Sequence, residues 1–173
     1  DPPSALSPHA VVWFENTTQE NMLRAIGNVA AHGLAVDYWW IDAGWFTCGR
    51  NWARYVGNPD PDPARFPGGM KPIADAAHRA GMKFLLWFEP ERVMPDTRLY
   101  EQHPEWLLGP DGGQKLLTLV NAEARQWLTD FLSKCITDWG IDIYRNDFNI
   151  DPLRFWKAAD TPGREGLTEI RYI

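Results

Sequence analysis

Gly81-Met82-Lys83-Phe84-Leu85-Leu86-Trp87-Phe88-Glu89 decides the fold class. Met82 to Phe88 is apolar at nearly every position, with a glycine before it and an acid after it. A strand covered on both faces reads this way, whereas a half-solvated strand alternates. The flanks repeat the theme. Immediately upstream, Pro72 to Ala80 reads as a helix ending at Gly81. Before it, Ala35 to Ile41 is a second strand-like run and His9 to Phe14 a first. Between those two, Thr17 and Thr18 offer an N-cap, Met22, Ile26, Val29 and Ala30 keep helical spacing, and Gly33 closes the helix.

Downstream, Asn121 caps the clearest helix, with Leu128, Phe131, Leu132, Cys135, Ile136 and Trp139 on one stripe and Gly140 as its stop. Ile141 to Asn146 is a fourth strand, and Asp151 (N-cap) with Pro152 (first helical position) opens a last helix. Segments 43–69 and 90–120 read as long loops, the second with a short helical turn near Arg98–Gln102. Residues 1–8, with Pro2, Pro3 and Pro8, read as an extended lead-in.

The order β-α-β-α-β-α-β-α predicts a parallel sheet covered by helices, either an open doubly wound sheet or a (β/α) barrel. No Gly-x-Gly-x-x-Gly follows the first strand and no phosphate-binding Gly-x-x-x-x-Gly-Lys-Ser/Thr occurs, so the nucleotide-binding open sheet falls behind. A complete eight-stranded barrel takes about 250 residues. The expected class is therefore α/β, a partial (β/α)8 TIM barrel of about four βα units with long βα loops.

Composition narrows the function. The 173 residues and 19.8 kDa make one domain of ordinary size or a piece of a larger one. The chain starts at Asp1-Pro2-Pro3 without Met and stops at Ile173, so it reads as an excised fragment, and its localisation stays open. Lys+Arg 17 against Asp+Glu 23 leaves a net charge of −6, which argues against nucleic acid and an anionic membrane as partners. No apolar run is long enough for a transmembrane helix. Two cysteines, Cys48 and Cys135, make no disulfide scaffold. Ten Trp in 173 residues are an abnormal count: most of them individually read as core, and an excess also suits a site that stacks sugar rings.

An acid ends each expected strand: Glu15, Asp42, Glu89 and Asp147. Parallel strands would gather all four at their C-terminal edges, where barrel enzymes keep their sites. Any one of them could be a simple turn or cap carboxylate. Four on one rim repel one another, which favours a functional reason. Acids on a sugar-stacking rim suggest glycoside hydrolysis, which uses two carboxyls. A metal site is the competing reading, but Asn58-Pro59-Asp60-Pro61-Asp62-Pro63 matches no calcium loop. His9, His32, His78 and His103 show no paired ligand spacing, so no metal and no cofactor are called for. His32 and His78 read as partners of the last helical carbonyls, Cys135 as core, and Asp142 as sitting at the end of the fourth strand away from the acids.

Ile41-Asp42-Ala43-Gly44-Trp45-Phe46, Phe66-Pro67-Gly68-Gly69-Met70-Lys71-Pro72, Leu86-Trp87-Phe88-Glu89-Pro90-Glu91-Arg92-Val93 and His103-Pro104-Glu105-Trp106 together resemble glycoside hydrolase family 36, the α-galactosidase (melibiase) family. The resemblance runs from about Trp13 to Asn149. It implies a retaining α-glycosidase barrel of which residues 1–173 are the N-terminal part. The family's Lys-Trp-Asp-x-Asn motif reads Arg145-Asn146-Asp147-Phe148-Asn149 here, which implies Asp147 as nucleophile, Arg145 at the sugar-contacting lysine, and Asn149, kept from the motif, as a further substrate-binding residue. Asp42 falls on the first acid of a galactose-binding Asp-Asp pair whose second member is Ala43, and Trp87 on a tryptophan that contacts the sugar. Glu89, inside the most specific segment, is a further candidate for substrate binding. Ala43 and Arg145 both depart at sugar-recognising positions, so the sugar preference is expected to shift from galactose within an α-glycoside specificity.

The family's acid/base lies on a later strand, so the isolated chain is expected to be inactive. The expected partner is an α-linked oligosaccharide or glycoside. Two further readings stand beside this one: a carbohydrate-binding half-barrel that does not hydrolyse, and a half-barrel that closes as a homodimer through its open sheet edges.

Overall fold

The computed structural model describes residues 2–8 and 16–173. The expected strand His9–Phe14, and Glu15 after it, lie outside the described residues. In chain order the elements are β1 (Ala5–Leu6), α1 (Gln19–Ala31), β2 (Tyr38–Ile41), α2 (Lys71–Arg79), β3 (Lys83–Phe88), β4 (Arg92–Val93), α3 (Arg98–Gln102), β5 (Leu107–Leu108), β6 (Lys115–Leu117), α4 (Ala122–Trp139), β7 (Ile143–Asn146), α5 (Leu153–Ala159) and α6 (Leu167–Tyr172). The chain divides into two compact units: Asp1–Ala53, Asp60–Phe88 and Ser133–Asn146 form the first, and Arg54–Pro59, Glu89–Leu132 and Asp147–Ile173 the second.

The first unit is an α/β structure on a parallel sheet in the order β1-β2-β3-β7. The register pairs Trp40 with Leu85 and Ile41 with Leu86, then Leu85 with Ile143 and Trp87 with Arg145. One face is fully covered: Trp39, Ile41, Phe84, Leu86 and Phe88 are all buried. α2 packs on β3 and α1 on α2, with Ile73, Ala74 and Ala77 of α2 and Met22 and Ile26 of α1 buried. On the other face Trp40, Leu85 and Ile143 are only half-buried. Burying one such Leu or Phe side chain contributes about 1.5–3 kcal/mol.

The helix signals hold locally. Thr18 caps α1 by accepting from the Asn21 N–H at 3.2 Å. Asn121 Oδ1 accepts from the N–H groups of Glu123 (2.9 Å) and Ala124 (3.2 Å) at the start of α4. Each such cap is worth about 1 kcal/mol. Gly140, at φ 71°, ends α4 while the Ile141 N–H donates back to the Ile136 carbonyl, a turn that only a left-handed residue closes without strain. Two readings need correction. The lead-in contains β1, tied to the start of β2 because the Ser4 N–H and hydroxyl both donate to Asp37 Oδ2, at 2.7 and 3.0 Å. The last helix begins at Leu153 with Pro152 in the cap slot, and Asp151 Oδ1, one residue earlier, accepts from the Leu153 N–H at 3.2 Å.

The 43–69 segment is a loop with a short 3-10 turn at Trp52–Arg54. Arg65 stitches its far limb, donating to Asp62 Oδ2 (3.1 Å) and to the Phe46 carbonyl (2.7 Å).

The second unit holds the larger departure. Within the stretch read as loop lies an antiparallel sheet, β4-β6-β5, beside the expected turn at α3. Alternation along β6 sorts its side chains between two clusters. Leu117 packs with Val93, Leu99, Trp106 and Leu128, and Leu116 packs with Ile150, Phe155 and Trp156.

Candidate active site

Two sets of candidate residues emerge, one in each unit. In the first, β2 ends at Ile41, so Asp42 continues its register to the level of Trp87, which pairs with Arg145. Residues level with one another on adjacent strands share a face. The Arg145 guanidinium lies 5.1 Å from the Trp40 ring centroid, and its Nη1 is 3.8 Å from Asp42 Oδ1. That oxygen also accepts from the Ala43 N–H at 2.8 Å. Asp42 and Arg145 are both partly exposed, so their pairing is worth at most about 1 kcal/mol. Its value is orientation: an aromatic plane below and a carboxylate beside fix where the fork of donors points.

Trp87 is 2% exposed. Trp52 meets it edge-on at 5.4 Å, and Phe46 stacks at 6.3 Å. The buried Trp45 Nε1–H donates to the Trp87 carbonyl at 2.8 Å and ties the Asp42-Ala43-Gly44-Trp45 turn to the end of β3. Trp139, the last residue of α4, meets the Trp45 ring edge-on at 5.7 Å.

In the second unit, Glu89 is the residue after the last of β3, and Asp147 the residue after the last of β7. The Glu89 side chain is wholly buried. Arg92 Nε donates to Oε1 at 2.8 Å and Arg92 Nη2 to Oε2 at 2.5 Å, a two-point grip. The Asn149 main-chain N–H adds a third donor to Oε1 at 2.9 Å. The Asn149 side chain in turn donates from Nδ2 to Asp147 Oδ2 at 2.9 Å. Asp147 is half-buried and Asn149 exposed.

Sequence reasoning missed Trp40, although Trp40 stands two residues before Asp42 and therefore on the same face. It also missed the Asn149 main chain and Trp45 Nε1, which no residue spacing announces.

Other chemistry-bearing groups sit elsewhere. Cys135 is buried, and burial, with Asp60 and Asp138 adding to it, pushes its thiol up to about 12. Burial also raises the Cys48 thiol, against the pull of Arg65. Neither is an activated nucleophile. His32 meets the Asn28 carbonyl at the end of α1, 2.8 Å from Nδ1. His78 does not do the same on α2: its Nε2 lies 2.6 Å from Asp142 Oδ2, which also accepts from the Phe84 N–H at 2.7 Å. Among the described residues no group of three or more His, Cys, Asp or Glu is placed to hold a metal, and no helix is long and apolar enough to cross a membrane.

The family model described as Melibiase matches residues 7–172. Alpha-galactosidase 2 of Pediococcus pentosaceus is 33% identical over 150 residues, covering 83% of this chain and 21% of its own. The chain thus spans about a fifth of the length of the curated relatives it matches. Among solved structures, the alpha-galactosidase from Lactobacillus brevis superposes with a TM-score of 0.81 at 29% identity, over 100% of this chain and 24% of that one. TtGalA, an alpha-galactosidase from Thermus thermophilus in complex with p-nitrophenyl alpha-D-galactopyranoside, does so with a TM-score of 0.67 at 27% identity, over 99% of this chain and 34% of that one. With nearly its whole length matched by the family model, the chain belongs to the melibiase family, glycoside hydrolase family 36.

Proposed function

We propose that these residues are part of a retaining α-glycoside hydrolase with an α-galactosidase-like site, built on a partial (β/α)8 barrel. Asp147 is its nucleophile. The observation that carries this reading is the motif Arg145-x-Asp147-x-Asn149 at the end of β7, in which Asn149 already donates a hydrogen bond to the Asp147 carboxylate. A donor on a carboxylate favours its ionised form, which a nucleophile needs.

In the first step an Asp147 oxygen bonds to the anomeric carbon as the bond to the leaving oxygen breaks. A general acid supplies that oxygen's proton. In the second, water gives a proton to the conjugate base of that acid, attacks the same carbon and frees the carboxylate. The family's acid/base falls outside these 173 residues, so the isolated chain should not turn over. Arg145, held over Trp40 beside Asp42, offers a fixed fork to sugar hydroxyls. Asp42 accepts from a hydroxyl, and Trp87 and its aromatic neighbours shape the floor. The galactoside bound by the Thermus relative supports an α-galactoside-type substrate.

The test uses the intact polypeptide encoded by the gene. Asp147→Gly is expected to lower turnover of p-nitrophenyl α-D-galactopyranoside about a thousandfold or more. Azide, which can attack the anomeric carbon in place of the carboxylate, restores release of p-nitrophenol and yields the β-glycosyl azide. Retained activity in Asp147→Gly, or no rescue, overturns the assignment. A second expectation concerns the sugar. Ala43→Asp with Arg145→Lys restores two family residues and should raise kcat/KM on the α-galactoside by about tenfold, the worth of one added hydrogen bond to a substrate hydroxyl.

A further inference from the structure

Glu89 was a candidate for direct sugar contact, yet its side chain has no exposed surface. A buried carboxylate persists only where charge and lone pairs are answered. Arg92 answers the charge through both Nε and Nη2. The remaining donor is the Asn149 main chain, sixty residues further along. Asn149 then holds Asp147 Oδ2 through its side chain. The four residues form one continuous relay of hydrogen bonds, Arg92 to Glu89 to Asn149 to Asp147, with the proposed nucleophile at its end.

We propose that Glu89, clamped by Arg92, is a positioning residue for Asp147. By fixing the Asn149 main chain it fixes the Asn149 amide, and the amide opposes rotation of the Asp147 carboxylate. A displacement of about 1 Å at a reacting atom can cost a hundredfold in rate, so such an anchor matters more for kcat than for substrate affinity. This inference rests on the reading of Asp147 as nucleophile.

The test again uses the intact polypeptide and the aryl α-galactoside. Glu89→Gln and Asn149→Ala should each lower kcat by about ten- to a hundredfold while KM changes by less than about threefold. The double variant should lose little more than the worse single, because the two residues act in series.

The deciding comparison is azide rescue. An external nucleophile needs no aiming, so Asp147→Gly and Asp147→Gly/Glu89→Gln should be rescued to the same rate. A rescued rate that falls along with kcat would mean general damage and would overturn the proposal, as would multiplying losses in the double variant. Asn149→Ala keeps the main-chain N–H and Glu89's donors, so an unchanged kcat in it breaks the relay and overturns the proposal even should Glu89→Gln fail to fold. If Asp147→Gly alone resists rescue, the nucleophile assignment fails, and that result is distinct from failure of the positioning role.

Discussion

Arg145 shows how far single residues can be read. Its alignment with Trp87 and its sharing of a face with Asp42 follow from period-two alternation and four apolar runs. Its seat on Trp40 follows from the same rule, one step further. What no rule supplies is the company of a side chain whose partner lies far along the chain. Asp142 is such a case. Burial alone would raise its pKa, but the Phe84 N–H and then His78 outweigh burial and hold it below its ordinary value of 3.8. A carboxyl depressed in the folded state adds stability that is present above its ordinary value and is lost as pH falls through the folded one. Asp142→Asn removes that contribution, so its melting temperature should fall less than the parent's when the pH is lowered from 5 to 3. Parallel melting curves for the two proteins across that range would contradict the role assigned to Asp142.

At the scale of elements, long runs with caps were legible and very short strands were not. α1 and α4 announce themselves through spacing, a capping side chain and a terminating glycine, and β3 through its near-continuous apolar run. β4 and β5 have two residues each, too few for any alternation to register, and their sheet forms because their side chains complete two clusters from distant segments. Gly109 marks the point where this sheet meets α5. It adopts φ 130°, and a Cβ built there would sit 2.7 Å from Phe155 Cε1. Gly109→Ala therefore combines backbone strain with a clash against a buried ring, and should destabilise by about 2–4 kcal/mol. Leu116→Ala, which empties space beside Phe155 and Ile150, should cost about 2–5 kcal/mol. Urea unfolding of both variants gives the numbers, and losses within about 0.5 kcal/mol of the parent would mean that this cluster does not hold the sheet.

At the scale of the whole molecule, three of the parallel strands, β2, β3 and β7, were legible, while β1 and what closes the sheet were not, because closure depends on strand number and stagger rather than on any local run. β7 is bonded to β3 alone among the described strands, β1 to β2 alone, and the face carrying Trp40, Leu85 and Ile143 stays half-open. Open parallel edges invite pairing, and symmetry says how. A two-fold axis along the strands keeps their direction, so it can set β7 of one copy beside β1 of the other, parallel at both seams. The purified 173-residue chain is therefore expected to run in light scattering at a mass of at least twice 19.8 kDa. Its melting temperature should rise with protein concentration, since association stabilises only the folded state. A monomeric mass together with a melting temperature indifferent to dilution would show that the edges are satisfied within one chain, and the dimer reading would fall.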